Sequence, residues 1–84
     1  MSSPAAKRTK ADSRRKKLGA RIRRLRREAG FDSIESFAHA LGMSWITVSR
    51  YERGISEISV ERLHRIADVL KLPIGRLLDD EEAR

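Results

Sequence analysis

Phe37-Ala38-His39-Ala40-Leu41-Gly42-Met43-Ser44-Trp45-Ile46-Thr47-Val48-Ser49-Arg50-Tyr51-Glu52-Arg53-Gly54 is the stretch whose reading decides the fold. Ile34, Phe37, Ala38 and Leu41 repeat at the spacing of one helical face, behind Ser33, whose hydroxyl suits the N-cap, until Gly42 stops the run. Ser44 caps a second helix, in which Val48 and Tyr51 face inward three residues apart and Gly54 ends the turn. Only Gly42 and Met43 separate the first helix from the cap of the second. So short a connection, opened by a residue free to take left-handed backbone angles, is the geometry of a helix-turn-helix unit.

Upstream, Leu18, Ile22, Leu25 and Ala29 recur at intervals of four, three and four, predicting a helix from about Arg14 that Gly30 terminates. Its other faces carry Arg14, Arg15, Lys17, Arg21, Arg24 and Arg27. Downstream, Ser59 caps a fourth helix with Val60, Leu63, Ile66, Ala67 and Leu70 as its apolar stripe, and Glu61 sits at the positive end of its dipole. Pro73 forbids continuation and suits the first turn of a short fifth helix with Ile74, Leu77 and Leu78 apolar. No strand alternation interrupts the pattern. The chain therefore divides into a disordered basic arm over 1–13, an all-α domain of five helices over 14–78 and an acidic tail over 79–84.

Composition narrows the function. In 84 residues there is room for one small domain, and such domains bury only about 60% of the surface their unfolded chains expose. Good packing or dimerisation must compensate. With no Cys, and with His39 and His64 apart on helices, neither a disulfide framework nor a zinc site is available. No nucleophile, metal cluster or Gly-rich phosphate loop accompanies the histidines, so neither catalysis nor a cofactor is expected. Neither a membrane-length apolar run nor a signal peptide is present, and the reading places the protein in the cytoplasm. The net charge of +7 conceals an asymmetry: residues 1–27 hold twelve Lys and Arg against Asp12 alone, while the other 57 hold seven against eleven acids. A basic block of that kind reads as an arm attracted to a polyanion, nucleic acid first and an anionic membrane surface second, the alternative being a solubilising disordered tail.

On these residues the chain resembles the Cro and phage-repressor helix-turn-helix family, the lambda-repressor-like DNA-binding fold. In that family a helix ending apolar-Ala-x-x-Leu-Gly is followed by apolar-Ser-x-x-Thr-apolar-Ser-x, then an aromatic or aliphatic residue and Glu-x-Gly. The match runs through Ile22, Leu25, Arg26 and Gly30 upstream and Leu63, Ile66, Ala67, Leu70, Ile74 and Leu77 downstream. The resemblance implies a transcriptional regulator, a repressor in kind, that binds double-stranded operator DNA as a homodimer and is nucleoid-associated when bound. The helix around 45–53 would read the major groove, with Trp45, Ile46, Ser49 and Arg50 on base edges and Arg50 donating two hydrogen bonds to a guanine. It also implies a structural ion pair between Arg26 and Glu52.

Phosphate contacts are expected from Ser33, Ser44, Thr47 and Arg53, and from Arg14, Arg15, Lys17 and Arg21 in the basic zone. Three departures from the family pattern shape that expectation. Trp45 and Ile46 stand where amide or basic side chains are common, Ile34 stands where a phosphate-binding Gln is common, and Ile55-Ser56-Glu57 lacks the usual loop cation. Phosphate affinity is then expected from the arm and the first helix, the arm following the backbone or entering a neighbouring minor groove. Ile55, Ile58, Ile74 and Leu78 are the candidate dimer surface. The rival reading is a protein-interaction module, antitoxin-like or anti-repressor, docking a protein partner through Trp45 and Ile46.

Overall fold

The computed structural model describes residues 9–78; the remainder, which includes most of the basic arm and all of the acidic tail, lies outside the described residues. Five helices follow one another: α1 (Lys10–Glu28), α2 (Ile34–Leu41), α3 (Trp45–Glu52), α4 (Val60–Leu70) and α5 (Gly75–Leu78). No strand occurs among the described residues.

Local chemistry sets each boundary. The first helix begins at Lys10 rather than near Arg14, because Thr9 and Asp12 form a reciprocal capping box that the apolar spacing does not reveal. Ser33, Ser44 and Ser59 cap the next three helices, their side chains accepting backbone N–H groups from the first turn. Gly42 closes α2 in the left-handed region at φ 70°. Lys71 does the same for α4 at φ 60°, a conformation that L-residues other than Gly seldom take, and Pro73 follows within two residues.

One core joins the helices. Ile22 and Leu25 of α1, Phe37, Ala38 and Leu41 of α2, Val48 and Tyr51 of α3, and Leu63, Ile66, Ala67 and Leu70 of α4 are all buried, with Leu77 of α5 closing the end. Each of these side chains contributes about 1.5–3 kcal/mol of transfer free energy if it is Val, Leu, Ile or Phe, and together they outweigh the small helix propensities. Phe31, in the α1–α2 loop, tilts against Phe37 with ring centroids 5.3 Å apart. Three apolar positions lie elsewhere than their spacing predicts. Ala29 is exposed as the C-cap of α1. Val60 is 68% exposed because it is the first residue of α4 and stands beyond the core's edge, and Leu78, the last residue of α5, is 55% exposed.

The α1–α3 crossing depends on a glycine. Gly19 is buried, and a Cβ placed there would lie 2.5 Å from the Glu52 carbonyl oxygen and 2.8 Å from its carbon, with the Tyr51 carbonyl also in the way. Without a side chain at 19, α1 settles directly on the last turn of α3. That contact fixes the tilt of α3 against the rest of the molecule.

Candidate nucleic-acid interface

The helix at the centre of the site, α3, is held from behind and bare in front. Val48, Tyr51 and Glu52 are buried, whereas Trp45 is 52% and Ile46 50% exposed, and Arg50 and Arg53 are exposed beside them. Positions 45, 46, 49, 50 and 53 lie on one helical face, so these side chains form a continuous outward stripe, with Ser49 half-buried at its margin. Tyr51 is pinned at its hydroxyl as well, where Arg62 Nη1 donates to Oη at 2.6 Å and ties α3 to α4.

At the N-terminus of α3 the Ser44 hydroxyl accepts from the Ile46 N–H at 3.1 Å and the Thr47 N–H at 3.3 Å. Its hydroxyl proton remains able to donate outward. Thr47 is half-buried one turn on. Ser33 plays the same part for α2, accepting from the Ser36 N–H at 3.1 Å. The two exposed caps thus mark two helix starts, whose N–H groups and dipoles suit an anion.

Behind the stripe, Arg26 and Glu52 meet in the interior. Arg26 Nε donates to Glu52 Oε2 at 2.7 Å, Nη2 to Oε1 at 3.3 Å, and Nη1 to the Phe31 carbonyl at 2.7 Å. Both residues are buried, and the guanidinium therefore locks the end of α1, the α1–α2 loop and the last turn of α3 together.

The four basic residues of α1 expected at phosphate divide differently. Arg14 is exposed, and Lys17 is exposed one turn further along the same flank of α1. Arg15 is half-buried, paired with Asp12 and, at 3.7 Å, with Glu57 in the α3–α4 loop. Arg21 is also half-buried and donates to the Leu77 carbonyl at 2.6 Å, bonding α1 to α5. Ile55 is exposed and Ile58 and Ile74 pack partly against the core, while Leu78 is exposed at the chain's described end. His39 and His64 are exposed, and among the described residues no cluster of three or more His, Asp or Glu could hold a metal ion. No helix of the described residues is long and apolar enough to cross a membrane.

Residues 17–80 match the family described as helix-turn-helix domain. The chain belongs to that helix-turn-helix family. A transcriptional regulator in the ATPase CF(0) region of Rhodospirillum rubrum is 38% identical over 65 residues, covering 77% of this chain and 59% of the relative. An HTH-type transcriptional regulator of Sinorhizobium medicae is 30% identical over 63 residues, covering 75% of this chain and 45% of the relative. The chain thus spans roughly half the length of these curated relatives. Among solved structures, the restriction-modification controller protein C.AhdI from Aeromonas hydrophila superposes with a TM-score of 0.73 at 29% identity, covering 77% of this chain and 97% of that one. The fold is accordingly that of a Cro/C1-type DNA-binding domain.

Several residues of this helix-turn-helix domain carry weight that spacing does not display. Gly19 is one; an isolated Gly within a helical pattern is a weak sign of close backbone approach. Arg62 is another, since nothing in its position foretells a bond to the Tyr51 hydroxyl. Thr9 and Asp12 do carry a local signal, the three-residue interval of a capping box, and it opens α1 four residues ahead of the start that apolar spacing gives.

Proposed function

We propose that this chain is the DNA-binding unit of a transcriptional regulator, a repressor, that reads operator DNA in the major groove through α3. The observation that carries the reading is the outward stripe of Trp45, Ile46, Ser49, Arg50 and Arg53 on a helix whose opposite face is anchored by Val48, Tyr51 and the Arg26–Glu52 pair. Arg50 reads a guanine through O6 and N7, and Trp45 with Ile46 contacts thymine methyl groups. Ser33, Ser44, Thr47 and Arg53 contact phosphates, and α1 with the arm before it contributes the long-range attraction. One recognition helix covers few bases, so the protein acts as a symmetric dimer, with the exposed Ile55 and Leu78 the starting points of its interface. Its place is the cytoplasm, at the nucleoid.

The test is selection from genomic fragments followed by titration at several salt concentrations. Enrichment of one palindromic site, with Arg50→Ala relaxing base preference at one position by about 1–3 kcal/mol, is expected. Binding of the selected site unchanged by both Arg50→Ala and Trp45→Ala would remove α3 as the reading helix. A second reading is favoured by the exposed apolar pair itself: Trp45 and Ile46 also suit a protein partner of the antitoxin or anti-repressor kind. In that case Trp45→Ala leaves DNA binding intact.

A further inference from the structure

Between Lys10 and Arg27, α1 carries ten Lys and Arg, and their surroundings sort them. Arg26 is buried against Glu52, Arg15 pairs with Asp12 and Glu57, Arg21 donates to the Leu77 carbonyl, and Arg24 meets Glu28 at 3.3 Å. The side chains of Lys10, Arg14, Lys16, Arg23 and Arg27 are exposed and make no hydrogen bond or ion pair among the described residues, and it is position on the helix that sets Lys16, Arg23 and Arg27 apart.

These three lie seven and four residues apart, on a single flank of the helix. That flank runs along the C-terminal end of α3. A Cβ on Gly54 would stand 2.7 Å from the Lys16 Cα, so the backbone of α1 at Lys16 rests on the turn that leaves α3. Arg23 and Arg27 share a shallow surface depression with Ala20, Arg24, Glu28 and Glu52, two residues before Gly54. Glu28 faces the same depression but is held by Arg24. Arg14, Lys17 and Arg21 instead border a groove against Leu18, Leu77 and Leu78, on the flank that meets α5.

A helix lying in a major groove about 12 Å wide has a phosphate strand on either side. The N-terminal end of α3 reaches the bases, and the side chains around its C-terminal end meet one of those strands. Beyond Arg53 and Gly54 this chain continues Ile55-Ser56-Glu57, a loop with no cation of its own to meet that strand. We propose that Lys16, Arg23 and Arg27, together with Arg53, form a phosphodiester-binding edge that seats one DNA strand in place of the missing loop cation. The inference rests on the major-groove reading of α3. It moves the backbone contact from the α5 flank of α1 to its α3 flank, and with it the direction from which the duplex approaches.

Two double variants with the same change in charge separate the flanks: K16Q/R23Q and R14Q/K17Q, each measured in the full chain by anisotropy titration of a labelled random-sequence duplex over a salt series. For every phosphate that a variant no longer neutralises, the slope of log K against log salt should become shallower by about 0.9. K16Q/R23Q is expected to lose nearly two such steps and R27Q one more, with R14Q/K17Q losing much less. Circular dichroism checks the fold of each. Should K16Q/R23Q unfold, the single variants K16Q and R23Q, each expected to lose one step, carry the same comparison. Equal losses from the two pairs, or the larger loss from R14Q/K17Q, would overturn the proposal. A wild-type chain that binds no duplex at all would overturn the groove reading instead, a result distinct from either.

Discussion

Replacing Gly19 by Ala puts two well-measured effects in opposition. In a helix interior the change should stabilise by roughly 0.5–1 kcal/mol, because Ala restricts the unfolded chain and favours helix. At this position the new methyl would meet the backbone of α3, 2.5 Å from the Glu52 oxygen and 2.8 Å from its carbon. Non-bonded atoms settle at roughly 3.5–4.0 Å, so α1 would have to lift by about 1 Å. Backbone cannot rotate aside as a side-chain end would, and Ile22, Leu25 and the Arg26 guanidinium would move with the helix. Overpacking of that kind costs about 1–3 kcal/mol. The steric term wins, and Gly19→Ala should be destabilised by on the order of 1–2 kcal/mol after the propensity gain is subtracted. In a domain of this size each kcal/mol lowers Tm by roughly 4–8 °C. Thermal and urea unfolding would measure it, with Ala20→Gly at the exposed neighbouring position as the propensity reference. A Gly19→Ala protein more stable than the parent would refute the argument that this crossing is set by backbone contact.

Two further outcomes follow from the site's anchoring. Glu52→Ala leaves the Arg26 guanidinium buried without its carboxylate, and should cost about 3–5 kcal/mol in urea unfolding; the double variant Arg26→Met with Glu52→Leu should recover most of it, and a single-variant cost below that of a surface charge would contradict the buried pairing. Ser44→Ala removes the acceptor for the Ile46 and Thr47 N–H groups and should lose about 1 kcal/mol of stability. Ser44→Asp keeps the cap but repels phosphate, so calorimetry should find its stability retained while anisotropy finds DNA affinity reduced; undiminished affinity would remove Ser44 from the phosphate contacts.

Three of the helices are legible because their signals are local. Ser33, Ser44 and Ser59 name their own starts, Gly42 and Gly54 their own stops, and Phe37, Ala38, Val48, Ile66 and Leu70 lie inward as their spacing requires. The start of α1 falls four residues before the one that spacing gives, since apolar periodicity begins well inside a helix that a capping box opens earlier. Val60 keeps the period and still faces water, because period gives direction around a helix axis and says nothing of how far along that axis the core extends.

The candidate site divides along the same line. Which helix presents Trp45, Ile46, Ser49 and Arg50 follows from the chain alone, because a cap, a turn and a three-residue interval are all set within a few bonds of one another. The sorting of α1's cations does not follow from it. Arg15, Arg21 and Arg26 are spent on Asp12 and Glu57, the Leu77 carbonyl and Glu52, while Lys16, Arg23 and Arg27, on the α3 side, make no hydrogen bond or ion pair among the described residues. A count of charges in the first third of the chain weighs all ten alike. Only the crossing at Gly19, made by residues 32 and 33 positions apart in the chain, determines which flank of α1 lies beside α3, because long-range backbone contact, unlike helix formation, has no signature in the spacing of neighbours.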